Sequence, residues 1–246
     1  MLKKSDFMVP DWPAPSNVHA LQTTRVGGVS RAPYDTLNLG IHVGDDPLNV
    51  AANCQLLSPF VPSEPVWLNQ VHGTLTIDAE TAGCAPPDAD ASYTHQRNVV
   101  CATMTADCLP LLFCNQAGTE VAAVHAGWKG LLDGVIESAL DKMQSKPSEI
   151  LVWLGPAIGP QAFEVGSEVR DAFIKKLPQA ETAFQPHGEK WLGDIFMLAR
   201  QRLAERGATQ VYGGGICTYS NPERFFSFRR DNVTGRMATL IWLENL

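Results

Sequence analysis

The chain has no apolar run long enough to span a bilayer. Behind its early lysines, Lys3 and Lys4, it has none of the apolar stretch that marks a secretory leader. These absences predict a cytoplasmic protein with no membrane association. None of the six cysteines stands in a C-x-x-C pair, and none of the six histidines in a His-x-His pair. At 246 residues the chain exceeds a disulfide-stapled scaffold, so most of its cysteines are expected to be buried thiols, Cys101 and Cys114 among them. Without His-x-His pairs it lacks the repeated ligands of a multinuclear copper centre. Positive charge is also scarce: 19 Lys and Arg face 26 Asp and Glu, for a net charge of -7. That balance excludes a broad nucleic-acid surface, but a few local cations can still hold a small anion. No repeat, low-complexity tract or linker divides residues 1–246, and 45% hydrophobic residues suffice for one sizeable core.

What is present centres on Thr103 to Cys114 and on His125-Ala-Gly-Trp-Lys-Gly130. The pattern predicts a buried strand, a polar interruption at Asp107-Cys108, a second apolar strand, a turn at Asn115–Gly118 and a third strand ending on His125. If these strands pair, Cys108 and His125 share one end of a sheet, where open sheets place their chemistry. His72, in Gln70-Val-His-Gly73, is a third candidate, although a lone histidine beside glycine is more often a surface group. One thiol and two imidazoles make a first-row metal site with a position left open.

The remaining elements mix strands with helices. Asp46-Pro47 reads as a helix cap and first position. Trp128–Met143 reads as one amphipathic helix, Val165–Lys176 as a second and Trp191–Arg206 as a third. Val66–Gly73, Ile150–Leu154, Arg224–Asp231 and Met237–Trp242 read as strands. The expected class is α/β, or mixed α+β, in a single domain. Thr23–Ser30, with Arg25 and a Gly-Gly pair, is either an ordinary turn or a ligand loop. Asn38–Gly44 and Gly155–Pro160 look like pocket walls. The helix start at Trp128, beside Lys129, suggests a phosphate cradle that Arg25 and Arg230 complete. Asp107 is either a solvated turn aspartate or a group that orients a histidine or holds a proton. Asp88 and Asp90 are caps, solvated groups or positioning groups.

Several of these stretches form an ordered set of motifs. Thr24-Arg25-x-Gly-Gly28, Leu37-Asn38-Leu-Gly40, Gln70-Val-His72-Gly73, Asp88-Ala-Asp90-Ala91, Thr105-Ala-Asp107-Cys108-Leu-Pro110, His125-Ala-Gly-Trp128 and Gly155-Pro-x-Ile-Gly159-Pro resemble the YfiH family, also called laccase-domain or polyphenol-oxidase-like. The resemblance runs from about Val9 to Trp242. It implies a cytosolic monomer whose metal, usually zinc, is held by His72, Cys108 and His125. It also implies phosphorolysis of purine nucleosides (adenosine, inosine, guanosine, methylthioadenosine), with some adenosine deamination. Catalytic roles then fall to Cys108, His125 and Asp107, and substrate or phosphate contacts to Arg25, Asn38, Lys129 and Arg230. Copper-dependent phenol oxidation and the editing of peptidoglycan precursors are the family's other associations. The second suits a cysteine hydrolase, with Cys108 as nucleophile and His125 as base. A small-molecule binding module is the non-enzymatic reading. Lys129 and Cys54 stand where many members carry arginine.

Overall fold

A computed structural model describes residues 2–83 and 85–244, so Cys84 lies outside the described residues. The elements run β1 (Val18–Gln22), α1 (Pro47–Leu57), β2 (Thr76–Asp78), β3 (Ala91–Thr94), β4 (Cys101–Thr105), β5 (Leu109–Asn115) and β6 (Val121–Ala126). Then come α2 (Trp128–Asp133), α3 (Val135–Lys142), β7 (Ile150–Leu154), β8 (Glu164–Val165), α4 (Ser167–Lys176), β9 (Phe184–His187) and β10 (Lys190–Gly193). The chain closes with α5 (Ile195–Glu205), β11 (Gln210–Gly213), α6 (Phe228–Asp231) and β12 (Met237–Leu243). The expected mixed α/β class is what forms.

A six-stranded mixed sheet of order β11-β7-β5-β6-β3-β2 carries the core, beside a three-stranded sheet β1-β12-β4 and a small β8-β10-β9 sheet. Every residue of β5 is buried, which follows from layers on both of its faces. Leu109, Leu111 and Phe113 pack with Ile136, Phe173, Phe196 and Leu203 of the helices. Leu112 and Cys114, on the opposite side, pack with Cys101, Ile241 and Leu243 of the three-stranded sheet. The outer face of that second sheet is covered by the 37–57 segment through Leu37, Leu39 and Leu57. Each fully buried Leu or Phe here contributes roughly 1.5–3 kcal/mol by leaving water. The two sheets meet at Ala106–Cys108, where the chain leaves β4 and enters β5. Asp107 takes a left-handed φ of 95° to make that crossing.

Several expectations change. Gly134, at φ 115°, breaks the Trp128–Met143 helix into α2 and α3. Lys190–Gly193 is a strand paired with β9, and the following helix starts only after Asp194, whose carboxylate caps Met197 N. Val66–Gly73 forms only isolated bridges, at Val66 and Asn69. Arg224–Asp231 is not a strand: Phe225 and Phe226 enter a small cluster with Ala106 and Met237, and Ser227 caps α6. The Asp46 cap and Pro47 stand as expected, with Leu48 N donating to Asp46 at 2.9 Å. Among the described cysteines only Cys101 and Cys114 are fully buried; Cys54, Cys108 and Cys217 are partly exposed. No helix among the described residues is long and apolar enough to cross a membrane.

Candidate active site at the open end of the large sheet

Antiparallel register brings the site together. In the β5–β6 pair, Leu109 faces Ala126 and Pro110 faces His125, so Cys108 lies just outside that end of the sheet. In the β3–β6 pair, Ala91 faces Val124, which leaves Asp90 beside His125, and His125 N donates to Asp90 O at 2.7 Å. Three neighbouring strands thus end at one place.

His72 arrives from a different direction. Its turn, at φ 58°, is held by the Asp90 carboxylate. His72 N donates to Asp90 Oδ1 at 3.0 Å, while Val71 N and Gly73 N donate to Oδ2 at 3.2 and 2.6 Å. His125 Nδ1 also meets Asp90 Oδ1, at 2.7 Å. The carboxylate accepts from the ring, so Nδ1 carries the proton and Nε2 is left to face the cavity. One wholly buried aspartate therefore fixes the His125 ring and the backbone turn that carries His72. His72 Nε2 lies 3.7 Å from Cys108 Sγ, and the two rings meet edge to face at 4.8 Å between centroids. The ligand atoms of His72, Cys108 and His125 all lie within 4.8 Å of one another, and no other such cluster occurs among the described residues.

The helix that follows His125 seats the His72 turn. A Cβ on Gly130 would stand 2.8 Å from Gly73 O, and one on Gly127 would stand 2.6 Å from His72 Cδ2 and 3.2 Å from Cys108 Sγ. Both positions must stay bare for His72 to reach the site. Gly127→Ala is therefore expected to push the His72 ring aside and weaken metal binding by at least about tenfold. Its φ of -64° suits alanine, so the fold should persist. Unchanged metal affinity in this variant would count against the geometry.

Charge couples the group. Burial pushes the Cys108 thiol up, but the imidazoles of His125 and His72 pull it down to about 6. Burial works against a charged His125, yet the Cys108 thiolate and the Asp90 carboxylate carry it up to about 9. Asp90 is driven up by burial and ends below its usual value, through the His125 hydrogen bond and charge and the Gly73 and His72 amides. Thiol and imidazole thus favour each other's charged form.

Above it opens a cavity of about 380 Å³, within the ~300–1,000 Å³ of small-molecule sites. Trp128, Phe163, Phe228, Met104 and Ile158 supply apolar walls, and His42, Arg229 and Arg236 supply polar ones.

The residues expected to bind substrate lie elsewhere. Asn38 is fully buried and bonds Gly40, Asp45 and Arg236 N, so it shapes a loop from within. Arg25 pairs with Asp35, donates to Pro222 O and lies over Phe226, outside the cavity. A Cβ on Gly28 would run into the Thr36 carbonyl, so the Gly-Gly turn packs tightly against its neighbours. Lys129 is exposed and paired with Asp133, on a helix of only six residues. Arg230 spends its donors on Thr218 O, Tyr219 O, Phe225 O and Asp231. Asp107 does line the cavity, but its carboxylate accepts from Thr218 Oγ1, Ser227 Oγ and Arg229 N, and the histidine is oriented by Asp90 instead. His42 and Ile158 fall within the expected walls Asn38–Gly44 and Gly155–Pro160, whereas Arg229 and Arg236 went unnoticed in the sequence, where no local pattern marks them.

Fold and site together define a mixed α/β protein with a His–Cys–His centre at the end of its main sheet. A family model described as multi-copper polyphenol oxidoreductase laccase matches residues 19–244, and the chain belongs to this laccase-domain, or YfiH, family. It is 56% identical to the purine nucleoside phosphorylase YfiH of Shigella flexneri, over 97% of this chain and 99% of that one. A crystal structure of a Neisseria meningitidis protein superposes with a TM-score of 0.96 at 50% identity, covering 98% of this chain and 100% of the other. YlmD from Geobacillus stearothermophilus does so with a TM-score of 0.92 at 29% identity, covering 100% and 98%.

Proposed function

We propose that this chain is a purine nucleoside phosphorylase whose reaction runs in the cavity over His72, Cys108 and His125. The observation that carries the reading is the convergence of a low-pKa thiol and two imidazoles on a cavity of nucleoside size with aromatic walls. Full-length relatives bearing that activity's name support it.

The donor set fits a metal. One thiolate and two imidazole nitrogens suit zinc and leave a fourth position for a ligand, the pattern of catalytic sites. His72, Cys108 and His125 are the residues that would hold it, and when bound it supplies Lewis-acid polarisation of the substrate. The same donors accept copper, so phenol oxidation is proposed as a side activity of copper-loaded protein. In phosphorolysis the C1′–N9 bond breaks while a phosphate oxygen bonds C1′. The bonding pair leaves with the purine, which takes up a proton. The chain's own work is orientation and exclusion of water. Asp90 holds the His125 imidazole and the His72 turn, and Trp128, Phe163 and Phe228 offer faces for a flat base. Adenosine deamination is a minor activity of the same pocket. A cytoplasmic monomer acting on nucleoside and phosphate is part of the same proposal.

The lowered thiol pKa also favours a second reading, a cysteine hydrolase acting on a peptidoglycan precursor, with Cys108 as nucleophile and His125 as base. Adenosine incubated with the protein is expected to yield adenine and ribose 1-phosphate in equal amounts, and only when phosphate is present. Adenine release that ignores phosphate would refute phosphorolysis. Hydrolysis of a precursor peptide with no nucleoside turnover would favour the hydrolase.

A further inference from the structure

The cavity has two arginines, Arg229 and Arg236; Arg229 is exposed and Arg236 is half-buried. Arg236 lines the cavity together with His72, Cys108 and His125. Only its Nη1 is engaged, donating to Thr234 O and Gly235 O at 3.0 Å each. Among the described residues, Nε and Nη2 donate to no protein atom and no carboxylate lies in ion-pair range, while the guanidinium lies over the Phe228 ring at 5.9 Å from its centroid. Arg25, Arg170, Arg202, Arg206 and Arg230 are paired with acids, whereas Arg229, likewise without an acid among the described residues, is exposed and donates from Nη1 to Ala162 O and Glu164 O. The guanidinium is half-buried and within electrostatic reach of Cys108 and Asp107, and the Asp107 carboxylate is already taken by Thr218, Ser227 and Arg229 N. A half-buried guanidinium with two donors of its fork unused is suited to an anionic partner.

The Arg236 seat is built rather than incidental. Asn38 Oδ1 accepts from Arg236 N at 2.9 Å, and Leu39 N donates to Arg236 O at 3.1 Å. Gly40 lies against the side-chain stem, where a Cβ would stand 2.8 Å from Arg236 Cγ. The Leu37-Asn38-Leu39-Gly40 turn therefore fixes the root of this side chain. A second loose end lines the same cavity: Thr105 Oγ1, on a residue only 2% exposed, has no hydrogen-bond partner.

We propose that the free edge of Arg236 is the anion seat of the cavity and that it binds inorganic phosphate, the acceptor in the reaction proposed above, on which the choice of anion rests. Asn38 and Gly40 are positioning residues for it, which gives the Asn38 motif a role without substrate contact. The fork-shaped donor pair matches two phosphate oxygens, and a lysine cannot reproduce that match.

The test is calorimetric titration with inorganic phosphate, at measured metal content, of the wild type, Arg236→Gln, Arg236→Lys and Lys129→Gln. Wild type is expected to bind saturably. Arg236→Gln should bind about 10- to 100-fold more weakly, the factor for losing a charge-assisted fork. Arg236→Lys should fall between them, and Lys129→Gln should match wild type. If Arg236→Gln does not fold, as judged by near-UV circular dichroism, the lysine variant decides. Equal binding by wild type and the folded Arg236 variants would overturn the proposal, as would the absence of saturable binding by wild type. Ribose 1-phosphate formation is read separately. Phosphate held at Arg236 with no nucleoside cleavage would sink the phosphorolysis reading and leave the anion seat standing.

Discussion

Replacing Cys108 with alanine is expected to abolish stoichiometric metal binding and nucleoside turnover while leaving the fold intact. The residue is partly exposed to the cavity and lies just before β5, so its Sγ contributes little to packing. A stability change below about 1 kcal/mol is expected, as at sites outside the core. The functional loss should be far larger. Removing a group that only supports a metal ligand typically costs ~10–100-fold in affinity, and Cys108 supplies the thiolate itself. Metal analysis and thermal unfolding of the same preparation check both halves. A Cys108→Ala protein that keeps a full complement of zinc would remove Cys108 from the ligand set.

Asp90→Asn is expected to have the other large effect, with a different signature. The carboxylate is wholly buried and accepts four bonds, from Val71 N, His72 N, Gly73 N and His125 Nδ1. An amide keeps one oxygen and turns an NH2 toward donors, so about two of the four bonds are lost or opposed. Stability should fall by roughly 3–5 kcal/mol, the range for breaking a buried charged network. At ~2–4 °C per kcal/mol for a chain of this size, the melting temperature drops by about 10 °C or more. Metal affinity should also fall ~10–100-fold, because the His125 ring and the turn that carries His72 both lose their anchor. The pH dependence has a definite sign. Asp90 titrates below its ordinary value in the folded protein, so its contribution is present above the unfolded carboxylate pKa. It is lost as pH falls through the lower, folded value. Asp90→Asn should therefore remove part of the acid sensitivity of the wild type. A variant with wild-type stability and metal affinity would show that Asp90 does not organise the site.

Local patterns carried much of this structure into view. β5, β6 and β7 are legible because both faces are covered and their residues are nearly all apolar, and α1 is legible from Asp46-Pro47. His72, Cys108 and His125 stand out as a thiol and imidazoles at turn positions; strand pairing joins Cys108 to His125, and the Asp90 carboxylate brings in the His72 turn. What stayed hidden depends on distant partners. The hydrophobic spacing of Leu132, Val135 and Ile136 continues across Gly134, so periodicity gives no sign of the break that a left-handed glycine makes. Trp191 and Leu192 resemble the start of a helical face, yet they pair with β8 and β9 from elsewhere in the chain. The surroundings of the arginines are hidden for the same reason. Arg25 and Arg230 look available in sequence, but Asp35, Pro222 and the carbonyls of Thr218, Tyr219 and Phe225 consume their donors. Arg236 looks ordinary until its lack of an acidic partner is seen in space. Asp90, 35 residues from His125, becomes its orienting group only when β3 and β6 align.

The central claim is that the His72–Cys108–His125 centre holds the metal on which purine nucleoside cleavage depends. The most direct measurement strips the protein with a chelator, returns zinc in sub-stoichiometric steps and follows ribose 1-phosphate formed from adenosine and phosphate. Activity should vanish on stripping and return in proportion to zinc, levelling at about one metal per chain, as three ligands with an open fourth position require. Full turnover by the stripped protein, or recovery that zinc does not govern, would contradict the account.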